Sequence, residues 1–167
     1  MSDTTLRNLV HGKGTHVDPV ACVEDVTAEQ ALHRVAGFPH SIWQIVEHMN
    51  YWMDYDLRTV AGDNPPYPNH AIESWAEHPD PANDEQWKAA TRRFGELLAR
   101  IAALADGDSA ELERSVTKLE PLNSRRQSTM HASLWEVAAH NSYHSGQIAL
   151  LRRQAGAWPP ERGGDTW

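Results

Sequence analysis

Apolar residues in this chain recur at helical spacing, and no run alternates them in the two-residue rhythm of a half-buried strand. That contrast predicts an all-α fold. After a break at Pro39, Ser41 is suited to cap a helix running to about Val60. Ile42, Ile45, Val46, Met49, Trp52 and Met53 form its apolar stripe. A second helix starts at Asn83, with Gln86 three positions on in capping-box register. It carries Trp87, Phe94, Leu97, Leu98 and Ile101 to a stop at Asp106-Gly107-Asp108. Another runs from Thr129 or His131 to Gln154; Gly156 can close it and Pro159-Pro160 bar its resumption.

The start of the chain is less regular. Residues 4–10 predict a short leading helix, interrupted at His11-Gly12-Lys13-Gly14-Thr15-His16. Residues 17–33, with Val20, Val23 and Val26, predict a helix ending and a short restart at Thr27-Ala28-Glu29-Gln30. Two connections are long. Residues 61–82 hold five prolines and no periodicity, and a connection of that length usually has a task or bridges distant ends. Residues 105–130 carry a helical piece near 109–118. Four long helices with two long connections predict a four-helix bundle with crossovers, as one domain over residues 1–167.

Composition removes several functions. The formal charge of −8 disfavours nucleic acid and an anionic membrane surface, both of which reward Lys and Arg. Arg152-Arg153 falls in the last turn of a predicted helix, where cations suit the helix dipole, and Arg125-Arg126 is a short pair after a loop. No run approaches a membrane span, the start lacks the pattern of a secretory signal, and the single cysteine, Cys22, has no internal partner. A cytoplasmic protein is expected.

His140 and His144 stand four apart on a predicted helix, so both imidazoles face one side. With 10 histidines in 167 residues, about 0.6 such pairs arise by chance, and the pair alone is weak. His48 flanks the stripe of a different helix. Three neutral imidazoles with positions left to water make the usual ligand set of a catalytic divalent metal. All-nitrogen ligation favours zinc or nickel over magnesium or calcium. Glu47, Glu136 and Gln147 are candidates to orient the rings, and equally candidates for plain solvated positions.

Other residues read as structural. Trp43, Trp52 and Trp135 are expected in the core, Tyr143 in a packing role, and Cys22 as a buried inert thiol. Gly12-Lys13-Gly14-Thr15 lacks the first glycine of a phosphate-binding P-loop.

Two segments resemble motifs of the DinB/YfiT-like superfamily of metal-binding four-helix bundles. His40-Ser41-Ile42-Trp43-Gln44-Ile45-Val46-Glu47-His48 is similar to its second-helix motif. His140-Asn141-Ser142-Tyr143-His144-Ser145-Gly146-Gln147-Ile148 is similar to its fourth-helix motif. The resemblance implies His48, His140 and His144 as metal ligands, with nickel or zinc as the ion. It implies a thiol S-transferase using bacillithiol, mycothiol or glutathione on a small electrophile, and a homodimer. The family's name, taken from a DNA-damage-inducible gene, implies no DNA binding. Two rivals stay open: a hydrolase using metal-bound hydroxide, and a non-catalytic, stress-related metal-binding domain. His16 sits near the pocket mouth or simply in a loop.

Overall fold

A computed structural model describes residues 4–75 and 83–163. Its helices are α1 (Thr5–Val10), α2 (Ala28–Leu32), α3 (Ile42–Ala61), α4 (Asp84–Ala105), α5 (Ser109–Leu112) and α6 (Met130–Gln154). Between α5 and α6 lies an antiparallel pair, β1 (Ser115–Leu119) and β2 (Arg125–Thr129). α3 packs against α4 and α6, and α1 closes the bundle against α6 and α4. No helix among the described residues is long and apolar enough to cross a membrane.

The cap expected at Ser41 forms in full, and that at Asn83 forms without the reciprocal Gln86 bond. Ser41 and Gln44 make a reciprocal capping box at the start of α3, and Gly62 ends it at φ 94°. The Asn83 side chain accepts from the Gln86 amide, and Thr129 accepts from Ala132, which sets the start of α6. The apolar stripes then meet: Met49 and Met53 of α3, Phe94, Leu98 and Ile101 of α4, and Leu134, Ile148 and Leu151 of α6 are all essentially buried.

Four expectations need correction. The short leading helix forms as expected, but the helix expected at the start of residues 17–33 does not. α1 has six residues, and the chain then runs through successive turns to Asp25 before α2. Val23 and Val26 are still buried, so their apolar spacing came from packing of turns and not from a helix. Residues 109–118 hold only one turn of helix before β1 begins. The hairpin escaped pattern reading because β2, Arg125-Arg126-Gln127-Ser128-Thr129, has no apolar residue to alternate. Third, Arg152 lies in the last turn of α6 as expected, but its role goes beyond the helix dipole. It is 2% exposed, bonds both carboxylate oxygens of Asp25 at 2.8 and 3.0 Å, and donates to the Cys22 carbonyl at 2.8 Å. Burial alone would raise the Asp25 pKa, but the Arg152 bonds hold it below the usual carboxylate value. The ion pair thus ties the turn segment to the end of α6.

Fourth, Trp135 is not a core residue: it is 53% exposed, whereas Tyr143, 65% exposed, still packs its ring edge-on against His144 at 5.1 Å. Trp43 is buried as expected, and Trp52 is half-buried. Cys22 is fully buried, and burial pushes its thiol up to about 12, which makes it inert. The connection 61–82 contains a 3₁₀ turn, Ala71–Ser74, and its part from 76 to 82 lies outside the described residues.

Candidate metal centre

α6 sets His140 and His144 one turn apart, and the packing of α3 on α6 brings His48 to them. The three Nε2 atoms face one another: His140 lies 3.2 Å from His48 and 3.1 Å from His144. One ligand atom from each ring falls within 4.8 Å of the others. His48 and His144 are buried and His140 is half-buried.

The other ring nitrogens explain the orientation. His48 Nδ1 contacts the Ser74 carbonyl at 3.1 Å, and a carbonyl can only accept. His48 therefore carries its proton on Nδ1 and presents a lone pair on Nε2. His144 Nδ1 meets Gln147 Oε1 at 2.6 Å, with the same consequence. His140 Nε2 has room for at most one proton between two lone pairs. One of its two short contacts is therefore lone pair against lone pair unless a cation lies among the rings. The donor set fits a divalent ion on that ground.

Burial acts in the same direction. It is the largest cause that pulls His48 down to about 3 and His140 to about 4, and it lowers His144 as well. All three rings are neutral at pH 7, the state a ligand needs.

Of the three orienting candidates, Gln147 holds a ring. Glu47 instead accepts from Asn50, and Glu136 bonds Lys118 and Arg126. Ser74 and Trp75 were not anticipated. Trp75 stacks on His48 at 3.8 Å and on His40 at 3.7 Å, each within 7° of parallel, so an indole is clamped between two imidazoles. The only sequence signal for them was the length of the connection that carries them.

His140 also lines a cavity of about 450 Å³ between α3, α6, the hairpin and the long connection. Trp52, Tyr55 and Tyr67 form an aromatic side, with centroids 5.3 to 5.9 Å apart. A chain of ion pairs forms the other. Buried Lys118 sits 2.8 Å from Asp56 and 2.6 Å from Glu136, and Arg126 bonds Glu136 at 2.9 Å and Glu120 at 2.7 Å. Burial works against the Lys118 charge, yet Asp56 and Glu136 hold its pKa above the ordinary value. Burial would raise Glu136, but Lys118 and Arg126 keep it low.

The other sequence candidates lie elsewhere. His11 pairs with Asp18 at 3.0 Å. His16 contacts Ser142 at 2.7 Å, so it neighbours α6 without joining the three-histidine cluster.

The family model described as the DinB superfamily matches residues 18–148, most of the chain and all three histidines. The chain belongs to the DinB superfamily. No match was found among curated proteins or among solved structures. The helical architecture agrees with the DinB assignment, and its metal-ligand candidates are the residues that the resemblance implied.

Proposed function

We propose that this DinB-superfamily protein is a metal-dependent thiol S-transferase, with His48, His140 and His144 holding zinc or nickel. The carrying observation is three Nε2 lone-pair positions within 4.8 Å beside an open cavity that His140 lines. When bound, such an ion lowers the pKa of a coordinated thiol and so supplies a thiolate near neutral pH.

The protein's own residues do the rest. Ser74 and Gln147 hold two imidazoles in the tautomer a ligand requires. Trp52, Tyr55 and Tyr67 offer apolar faces to a small electrophile and exclude water around it. Lys118 and Arg126 are each bracketed by two carboxylates, so they stiffen the hairpin wall of the cavity. The thiol would be bacillithiol, mycothiol or glutathione, in a cytoplasmic setting.

Hydrolysis by metal-bound hydroxide is the second reading, supported by the carboxylates lining the cavity. Its weakness is Glu136: a carboxylate held low by two cations is a poor base. For a purely structural ion, an open 450 Å³ cavity at one ligand is an unneeded cost. Exposed Trp135 and Tyr143 on the outer side of α6 support a homodimer, which sedimentation tests.

The test is elemental mass spectrometry of wild type and His48→Ala, followed by thiol consumption with monochlorobimane. About one zinc or nickel per chain and a metal-dependent thioether product, both lost in His48→Ala, are expected. Full metal with no product from any of the three thiols would overturn the transferase.

A further inference from the structure

A second cavity, of about 440 Å³, lies on the far side of α6 from the histidine cluster. At roughly 100° per residue, Ser142, Ala149 and Arg153 point away from His140 and His144. The turn at residues 12–17 forms the opposite wall. We propose that this cavity binds a small amphipathic carboxylate, its head at Arg153 and the His16–Ser142 pair, its apolar body along Val17, Ala149 and Leu150.

The polar groups here are donors in search of an acceptor. No carboxylate among the described residues lines the cavity. Arg153 makes no hydrogen bond or ion pair among the described residues; its guanidinium rests on the Trp158 ring, 4.9 Å from the centroid. That stacking leaves the edge of the guanidinium, with its fork of N–H groups, able to meet a carboxylate. Ser145 is 1% exposed and lines the cavity, and its buried hydroxyl has no partner among the described residues.

His16 carries the same signature. Its Nδ1 lies 2.7 Å from the Val17 carbonyl and must donate there. Its Nε2 lies 2.7 Å from Ser142 Oγ, which also lies 2.8 Å from the Ala138 carbonyl. The single Ser142 hydroxyl hydrogen cannot serve both acceptors. His16 and Ser142 form one polar pair at the wall of the cavity. The turn is shaped to place this ring: a Cβ on Gly12, at φ 65°, would meet the His16 ring at 2.5 Å.

The remaining wall is apolar and open. Among the described residues, nothing beyond its own helix backbone and chain neighbours lies within 4 Å of where a Gly146 Cβ would be, although glycine is a poor choice in mid-helix. No packing among those residues accounts for it. Space above exposed backbone is what a ligand's apolar body would use.

The experiment is amide NMR of the full-length, metal-loaded protein titrated with octanoate, with octyltrimethylammonium and inorganic phosphate as comparisons. Octanoate is expected to shift Thr15, Ser145 and Gly146 saturably at one per chain, while the cation shifts none and phosphate only weakly. Arg153→Gln should weaken octanoate by about tenfold or more, the loss of one charge-assisted contact. Gly146→Leu should fill the cavity and abolish binding with no fall in melting temperature. Metal content should be unchanged in both variants, so this result stands or falls apart from the transferase reading. Shifts confined to the Trp52–Tyr67 cavity, or an affinity indifferent to Arg153→Gln, would overturn the proposal. So would a dimer that Gly146→Leu dissociates with no octanoate shifts, which would give this face to a second copy.

Discussion

The Ser74 carbonyl accepts a hydrogen bond from His48 Nδ1 at 3.1 Å, across 26 positions of sequence, and so turns Nε2 of that ring toward His140. The Ser74 hydroxyl lies almost as close, at 3.2 Å, but it donates to the Ala71 carbonyl at 2.7 Å. The backbone, not the side chain, therefore fixes the His48 tautomer. Ser74→Ala should leave zinc affinity nearly unchanged. Gln147→Ala, which removes the acceptor from His144, should weaken it by about 10–100-fold. Competitive titration against a chromophoric chelator measures both, and equal effects would remove the distinction.

His140→Ala and His144→Ala should each lose most bound metal while keeping most helix content. Helicity is set by the apolar stripes and caps, and the metal adds a link between two helices already in contact. Circular dichroism beside elemental analysis checks this; undiminished metal in both variants would remove the ligand assignment.

The metal-free protein should lose stability as pH falls below about 6.5, the unfolded histidine value. In the unfolded chain His48 and His140 take up protons there, while in the fold they resist until about 3 and about 4. The unfolded state then binds more protons, so unfolding becomes easier as pH drops through this window. Above it both states are neutral and the groups contribute no pH dependence. Urea midpoints from pH 7 to pH 4.5 should fall in wild type and fall less in His48→Ala. Parallel curves would show that these rings do not carry the effect.

Arg152→Ala should be among the most damaging single changes. It takes the cation from Asp25, which keeps the Glu161 amide, and the donor from the Cys22 carbonyl, and losing one partner of a buried pair costs about 3–5 kcal/mol. Arg153→Ala, one position on, should cost no more than about 1 kcal/mol, because that exposed side chain makes only a stacking contact with Trp158. Chemical denaturation separates the two, and a similar loss for both would refute the anchoring role.

Much of the fold could be read directly. Ser41 and Asn83 were visible as caps because capping is a local interaction within one turn. The pairing of His140 with His144 was equally local. The hairpin was not visible: Lys118 and Arg126 are stabilised in their strands by Asp56, Glu136 and Glu120, partners that a local pattern does not register. Trp135 misled because a helical aromatic marks a face without saying whether another element covers it.

By itself the sequence determined where helices start and stop, which faces are apolar, and that two imidazoles share one side of a helix. Those are short-range consequences of backbone hydrogen bonding and a 3.6-residue repeat. Only the tertiary structure decided that His48 meets that pair and that Ser74 and Gln147 set the ring tautomers. It alone opened cavities on opposite sides of α6. Such arrangements depend on contacts between residues far apart in the chain, which burial of the shared apolar core brings together.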